Sequence, residues 1–253
     1  WMVAHYIDSG CDDYSVEAAI SKVYASEAIQ RCAYEALQIA AGNGFMKEFP
    51  YEQEARDSRI LSIFEGTNEI LRLYVALSGL KDVGAQLGEL KSAVSHIFND
   101  PIKGFGLLTG YAQRRFAQSS GIGGDRILRE LPPRLRKCAG VYENYVTELA
   151  AVCDAALRKY GRGIADQQFV LKRIGERAID LFVGSCVLSR ADALVAAGDA
   201  HADSAQAICE VFTAQARRRM YRCVKGMQRN EDAGLDAIAG AMLAREGYPW
   251  DVL

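Results

Sequence analysis

One short run near the start of the chain has the composition of a proton-abstraction site. Glu65 stands between the aromatic Phe64 and Gly66, directly before an apolar helical pattern. A helix N-terminus offers partial positive charge and free N–H groups, and a residue without a Cβ lets a ligand approach the backbone closely. Ile63 and Phe64 can exclude water from the carboxylate, which raises its pKa and makes it a stronger base. The run indicates proton removal from a weak carbon acid. The alternative is that Glu65 only complements a helix dipole.

The elements that must position this run are helices. Apolar residues at steps of three and four predict a helix over 16–40, stopped at Gly42, and a short helix that leads to Glu65. A further helix is predicted over 67–80, ending at Gly79. The carboxylate is therefore expected in a turn between two helices, with a long helix beside it.

The next stretch, residues 83–134, has a different composition, rich in glycine and basic residues. Between Pro101 and Gly140 there are eight basic residues against two acidic ones, with apolar residues interleaved. A basic amphipathic stretch with flexible joints can lie on an anionic membrane surface. The alternative is a solvated linker whose arginines pair with the rest of the protein. Both interpretations of 101–140 stay open at this point.

The remaining residues return to strong helical periodicity, which predicts four helices with short joints, typical of an antiparallel bundle. They are expected over about 135–160, 169–195, 205–227 and 235–245. The run Arg217-Arg218-Arg219 is interpreted as a solvated helix face, with a phosphate site as the alternative. The predicted fold class is all-α: a helical-bundle domain in 1–82, the flexible basic segment 83–134 and a second helical domain in 135–253.

Composition narrows the class of protein. The net charge of −2 argues against a nucleic-acid partner, since such a protein is usually basic on one face. None of the seven cysteines is spaced as Cys-x-x-Cys, and their odd number indicates reduced, buried thiols in an intracellular, not a secreted, protein. The three histidines are far apart in sequence, so no metal site is predicted.

Three sequence blocks carry a resemblance to a known family. The run Phe-Glu-Gly-Thr-Asn-Glu-Ile-Leu-Arg over 64–72 resembles the catalytic signature of acyl-CoA dehydrogenases. The block over 38–45 resembles the family's Gln-Ile-x-Gly-Gly-x-Gly-Phe loop, and 56–60 resembles the Arg-Asp-x-(Arg/Lys)-Ile segment that leads to the base. Ala41 stands where the family usually has the first of two glycines.

The resemblance implies a reaction and a set of site residues. In that family the glutamate takes the α-proton of a fatty acyl-CoA and FAD accepts a hydride from the β-carbon. Glu65 would be the catalytic base, with Phe64 and Gly66 in contact with the substrate. Two groups would contact FAD. One is the loop that meets the flavin of a neighbouring subunit, formed by Gln38, Ile39, Ala40, Ala41 and Gly42; the other begins the next helix and comprises Thr67, Asn68 and Glu69.

The second helical domain narrows the resemblance to the very-long-chain branch and its relative, acyl-CoA dehydrogenase family member 9. The resemblance implies a homodimer that passes electrons to an electron-transfer flavoprotein and associates with a membrane through 101–140. It implies the mitochondrial matrix or inner membrane in a eukaryote and the cytoplasm in a bacterium. It also implies that this chain is the C-terminal piece of a longer protein, inactive or weak as an isolated fragment. The alternatives are a respiratory complex I assembly or scaffold protein that keeps the fold, and an acyl-CoA oxidase.

Overall fold

The computed structural model describes residues 1–95 and 131–247, and for 82–95 it describes the backbone alone. These residues are almost all helical and contain no strand, so the predicted all-α class is confirmed. Most of the predicted flexible segment lies outside the described residues. Short 3₁₀ turns occupy Ile60–Ser62, Pro133–Leu135 and Gly161–Asp166. The α-helices are α1 Met2–Asp8, α2 Ser15–Ile39, α3 Gly42–Phe45, α4 Tyr51–Arg59, α5 Asn68–Ser95, α6 Arg136–Tyr160, α7 Gln168–Ala196, α8 Ala202–Gln228 and α9 Asp232–Arg245.

Helix α2 begins and ends within one residue of its predicted bounds. Just ahead of it, the Asp13 carboxylate accepts hydrogen bonds from the backbone N–H and the hydroxyl of Ser15, at 3.1 and 2.7 Å. Such an Asx-type contact satisfies a donor that the first helical turn would leave free. Ala19, Ile20 and Val23 are buried on one face of the helix, as the apolar spacing predicts.

Helix α5 is much longer than predicted: the expected end at Gly79 is wrong, and the helix continues to Ser95. A glycine inside a helix costs only about 1 kcal/mol relative to alanine. Leu80, directly after Gly79, is 3% exposed and packs with Ala76 against α6 and α7. Tertiary packing therefore stabilises the helix beyond Gly79, where local propensity predicts that it ends.

The C-terminal helices α6 to α9 confirm the four helices predicted over 135–245. Their principal core contains Tyr142 of α6, Leu188 of α7 and Met220 of α8. Gly184 of α7 allows the close approach of α6, because a Cβ at that position would lie 2.2 Å from the ring of Tyr142. The Tyr142 hydroxyl lies 3.0 Å from the Thr213 hydroxyl across the bundle, so its polar end is not left unpaired.

Three buried residues of α5 contact the C-terminal bundle: Val75, Ala76 and Leu80. Val75 joins α2 residues and Ile179 of α7 in one buried cluster, while Ala76 and Leu80 join a second that includes Leu171. Gly175 of α7 meets the backbone of Arg72 so closely that a Cβ there would lie 2.4 Å from the Arg72 carbonyl oxygen. The helix that follows Glu65 is thus held between α2 on one side and α7 on the other.

Two further observations concern the described part of the chain. All seven cysteines are free, but Cys11 and Cys32 are exposed, so the expectation of buried thiols is wrong for these two. Among the helices that the structure describes, none is long and apolar enough to cross a bilayer.

Candidate active site

Glu65 lies in the tight turn between the 3₁₀ segment Ile60–Ser62 and α5, in an unusual backbone conformation. Its φ is +52°, and that of Gly66 is +89°. A left-handed conformation costs a non-glycine residue on the order of 1–3 kcal/mol, and such strain is concentrated at functional sites. Glycine takes the second position without a steric penalty, whereas a Cβ there would lie 3.3 Å from the Leu71 side chain. The turn holds the carboxylate on the surface of the helical layer.

The two apolar residues before Glu65 do not shield it within this chain. Ile63 and Phe64 are each 46% exposed, and Glu65 is itself exposed. The expectation that they exclude water from the carboxylate is therefore not met by the described residues alone, because the turn carries all three on its surface. Ile63 and Phe64 instead offer apolar surface next to the carboxylate.

The turn after Glu65 is fixed by a lysine from α2. The Lys22 ammonium donates to the Gly66 carbonyl oxygen at 2.8 Å and to Oδ1 of Asn68 at 2.9 Å. One side chain thus holds both the peptide that follows the base and the first residue of α5. Lys22 lies 43 positions before Glu65 in the sequence, and no local pattern points to their contact.

Asn68, expected beside the flavin, is buried between α2 and α5 with 1% of its surface exposed. Its Nδ2 donates to the Ser26 hydroxyl at 2.9 Å and to Oε1 of Glu27 at 3.3 Å, while its Oδ1 accepts from Lys22. Each polar atom of this side chain therefore has a partner on α2, and a contact of Asn68 to flavin would have to use its backbone. Thr67 is partly buried, with Oγ1 3.4 Å from the Ile70 N–H, and Glu69 is exposed.

Arg72 extends this polar contact from α2 to the C-terminal bundle. Its Nη2 donates to Glu27 Oε1 at 2.6 Å and its Nη1 to the Asn68 carbonyl oxygen at 3.4 Å. Nε is buried without a hydrogen bond, and Oε1 of Glu176 on α7 lies 3.8 Å away. A cation shared between two carboxylates ties the start of α5 to both neighbouring helices.

The turn before Glu65 is fixed by another α2 side chain. Gln30 Nε2 donates to the Ser62 hydroxyl at 2.9 Å and to the Arg59 carbonyl oxygen at 3.2 Å. The Arg59 guanidinium also donates to the Ser62 hydroxyl. Helix α2 therefore holds both sides of the Glu65 turn. Gln30 bonds the residues that precede Glu65, and Lys22 bonds those that follow it.

The second predicted group, Gln38–Gly42, lies at the C-terminal end of α2 and is largely exposed. Ile39 has 84% of its surface exposed, and the Gln38 amide donates to the Tyr34 hydroxyl at 2.9 Å. Ala40 is partly buried and Gly42 is exposed with open space around it. Ala41 has φ +50° and ψ −125°, a conformation that glycine adopts without strain. Apolar surface and backbone are thus presented outward.

The structure does not bring the two predicted groups together in one chain. At a rise of about 1.5 Å per residue, Gln38 lies about 24 Å further along α2 than Lys22, which holds the Glu65 turn. One compact pocket cannot contain both ends of that helix, so within one chain the Gln38–Gly42 loop lies outside the surroundings of Glu65.

A groove of about 410 Å³ lies beside Arg72, between α2, α7 and α8. Its lining includes Cys223, and burial raises the pKa of that thiol to about 12. Burial likewise raises the pKa of Asp180, although its bond to Arg219 opposes the shift. A thiol that stays protonated is a poor nucleophile, so Cys223 is not an activated cysteine. Within the described residues no group of histidine, cysteine and carboxylate side chains is arranged to hold a metal ion.

Sequence reasoning identified the Glu65 turn but missed the residues that hold it: Lys22, Ser26, Glu27, Gln30 and Arg72. A signal for part of this set exists. The buried stripe of α2 runs through Ala19, Val23 and Ala33, and Ser26 and Gln30 fall on the same stripe. Polar residues at buried positions of an amphipathic helix require polar partners, which here come from the Glu65 turn and the start of α5.

Comparisons with known proteins agree with this geometry. Residues 1–80 match the family described as acyl-CoA dehydrogenase, C-terminal domain, and residues 133–248 match ACAD9/ACADV, C-terminal domain. The chain is 38% identical over 229 residues to the mitochondrial very long-chain specific acyl-CoA dehydrogenase of Homo sapiens, covering 90% of this chain and 34% of that one. It is 29% identical over 210 residues to a probable acyl-CoA dehydrogenase of Bacillus subtilis, covering 81% and 31%.

A solved structure shares the fold. An acyl-CoA dehydrogenase from Bacillus anthracis, complexed with FAD, superposes with a TM-score of 0.64 at 25% identity, over 84% of this chain and 32% of that one. The chain therefore belongs to the acyl-CoA dehydrogenase family and corresponds to its C-terminal part. Within the family it falls in the branch of very-long-chain acyl-CoA dehydrogenase and family member 9. It spans about a third of the length of curated relatives that it matches.

Proposed function

We propose that the full-length protein is an FAD-dependent dehydrogenase that converts long- or very-long-chain acyl-CoA thioesters to trans-2-enoyl-CoA in fatty acid β-oxidation. The observation that carries this proposal is the exposed carboxylate of Glu65, held in a left-handed turn that α2 fixes at both ends. A positioned carboxylate beside apolar surface can act as a base. The very-long-chain relatives support the substrate class.

In this proposal Glu65 takes the α-proton of the bound thioester. Gly66 lies against the thioester, since it lacks a side chain, and the exposed ring of Phe64 offers apolar contact to the acyl chain. FAD, when bound, accepts the β-hydrogen with its electron pair, so that a double bond forms between the α- and β-carbons. The chain's own task is to hold one carboxylate at the α-carbon and to offer apolar surface around it.

The Gln38–Gly42 loop fits a cofactor contact from outside its own chain. It is exposed and lies about 24 Å along α2 from Lys22, which holds the Glu65 turn. It carries the apolar Ile39 next to the open backbone of Gly42. Such a loop would hold the flavin of a neighbouring subunit by backbone and apolar contacts. Thr67, directly before α5, and Glu69, in its first turn, would lie near the flavin that serves Glu65.

The remaining partners follow from the same proposal. The protein would act as a homodimer and pass electrons to an electron-transfer flavoprotein. The relatives named as mitochondrial support a mitochondrial location if the source is a eukaryote. Most of the proposed membrane-facing stretch 101–140 lies outside the described residues, so its association with an anionic membrane stays a prediction.

The test is anaerobic bleaching of the flavin in the full-length protein, titrated with palmitoyl-CoA and with a much longer acyl-CoA. The unmodified protein should bleach, and Glu65→Gln should bind flavin but lose bleaching by at least about 1,000-fold, because its amide accepts no proton. Glu231→Gln, an exposed carboxylate just before α9 that the proposal gives no role, is the matched control and should bleach normally. Bleaching that survives in Glu65→Gln would contradict the assignment of the base.

The alternative is a respiratory complex I assembly or scaffold protein that keeps the fold. The match of residues 133–248 to a domain shared with ACAD9 is the observation that favours it. The same experiment separates the two functions. If no acyl-CoA bleaches the flavin-loaded protein, and the protein retains respiratory-complex subunits in a pull-down, the scaffold function is favoured over the dehydrogenase.

A further inference from the structure

The ammonium of Lys22 makes a contact that is unusual for a partly exposed lysine. Its two partners are neutral oxygens, the Gly66 carbonyl and Oδ1 of Asn68, at 2.8 and 2.9 Å. Among the described carboxylates none forms a salt bridge with it. Surface lysines commonly pair with carboxylates or stay in water, whereas this one is committed to the backbone of the turn that carries Glu65.

The turn needs such a contact because its backbone is strained. Glu65 and Gly66 both have positive φ, and the Gly66 peptide has no side chain to restrict its rotation. A rotation about the φ or ψ bond of Gly66 would reorient Glu65 relative to α5. A charged donor on the Gly66 carbonyl holds the peptide in one orientation, since hydrogen bonds with one ionised partner are about twice as strong as neutral ones.

Lys22 is itself held in place by the buried side chain of Asn68. Asn68 presents Oδ1 to the ammonium because its Nδ2 is committed to Ser26 and Glu27, and the Ser26 hydroxyl donates to the Val23 carbonyl oxygen at 3.0 Å. The buried amide cannot turn over without losing these bonds. A rigid chain of contacts therefore runs from the core of α2 to the peptide next to the base.

We propose that Lys22 is a positioning residue for proton abstraction, acting through the Gly66 carbonyl to hold the Glu65 carboxylate at the substrate's α-carbon. The inference rests on the proposed dehydrogenase function and adds a residue to that site. Because a carboxylate displaced by about 1 Å can lose about 100-fold in rate, removing the ammonium affects the chemical step. We expect the rate to fall more than the substrate affinity, because the carboxylate acts in the chemical step.

The experiment compares Lys22→Met, Lys22→Arg and Arg31→Met in the flavin-loaded full-length protein. Arg31 is the matched control: it is a cation on the same helix, its side chain is 77% exposed, and among the described residues it pairs with Glu35 one turn away. In Lys22→Met we expect the limiting rate of flavin bleaching to fall by about 10- to 100-fold, with half-saturation by acyl-CoA unchanged within about twofold. Lys22→Arg restores a donor and should recover most of the rate, while Arg31→Met should match the unmodified protein.

Amide hydrogen exchange provides a second readout that does not depend on turnover. Peptides covering residues 61–70 should exchange faster in Lys22→Met than in Arg31→Met, with melting temperatures that differ little. Unchanged exchange in this region, or bleaching by Lys22→Met at the normal rate, overturns the inference. If the unmodified protein itself fails to bleach, the proposed function fails, and that result is distinct from a normal rate in Lys22→Met alone.

Discussion

At the residue scale, Ala41 occupies a conformation that suits glycine better than alanine. It has φ +50° and ψ −125° at the join between α2 and α3. Replacing it by glycine removes the contact between Cβ and backbone that makes this region costly. The strain at such a position is on the order of 1–3 kcal/mol, offset in part by the greater freedom of glycine in the unfolded chain.

We therefore expect Ala41→Gly to raise the free energy of unfolding by about 1 kcal/mol. Ala40→Gly is the matched control, because Ala40 has φ −71° and gains nothing from the change; it should lower that free energy by about 0.5–1 kcal/mol. Denaturant unfolding of the full-length protein measures both. If the two variants lose the same stability, Ala41 does not have the left-handed conformation described.

The residues of the site were predictable to different degrees. Glu65 and Gly66 could be found because their chemistry depends on local sequence: a carboxylate, a glycine and the start of a helix within a few positions. The Lys22 contact joins residues 44 positions apart, and its geometry depends on how α2 crosses α5. Residue types cannot give that crossing, although Ser26 on the buried stripe of α2 signals that a polar partner must face it.

At the scale of elements, the same contrast separates α2 from α5. The bounds of α2 follow from its own sequence, since the apolar stripe predicts the helix and the glycine at 42 predicts its end close to Ile39. The end of α5 does not, because Ala76 and Leu80 are buried against residues more than 70 positions later in the chain. Packing of Ala76 and Leu80 against these distant residues stabilises the helix on both sides of Gly79, where its local signal ends.

The crossing of α5 and α7 requires a residue without a side chain at position 175. A Cβ on Gly175 would lie 2.4 Å from the Arg72 carbonyl oxygen, a backbone atom that cannot move without shifting α5. We expect Gly175→Ala to lower the free energy of unfolding by about 1–3 kcal/mol. Because Arg72 holds the start of α5, the same change should slow flavin bleaching.

Gly140 provides the control for this prediction. It lies inside α6 with open space where its Cβ would be, so Gly140→Ala should raise the free energy of unfolding by about 0.5–1 kcal/mol. Thermal unfolding and bleaching rates of both variants are compared with the unmodified protein. Equal gains in stability from the two substitutions would show that α5 and α7 do not meet as closely as the structure describes.

At the scale of the whole molecule, the two segments that match different domain models, 1–80 and 133–248, share buried cores. The division into 1–82, 83–134 and 135–253 stays a prediction, yet α5 of the first part packs with Leu171 and Ile174 of α7 in one cluster and with Ile179 in another. Few contacts cross a typical domain boundary. These clusters instead indicate that the helix following Glu65 and the C-terminal bundle form one cooperative unit.

A substitution far from α5 tests that cooperativity. Met220 of α8 is fully buried in a cluster built from α6, α7 and α8, and Met220→Ala should cost about 2–5 kcal/mol. If the two parts unfold together, amide exchange through global opening should accelerate in peptides covering residues 71–80 as well as in α6 to α8. Ile208→Ala, on the same helix but 64% exposed, should leave both regions unchanged. Faster exchange confined to α6–α8 in Met220→Ala would mean that the bundle opens alone, and the C-terminal helices would then be an independent module rather than a support for the Glu65 turn.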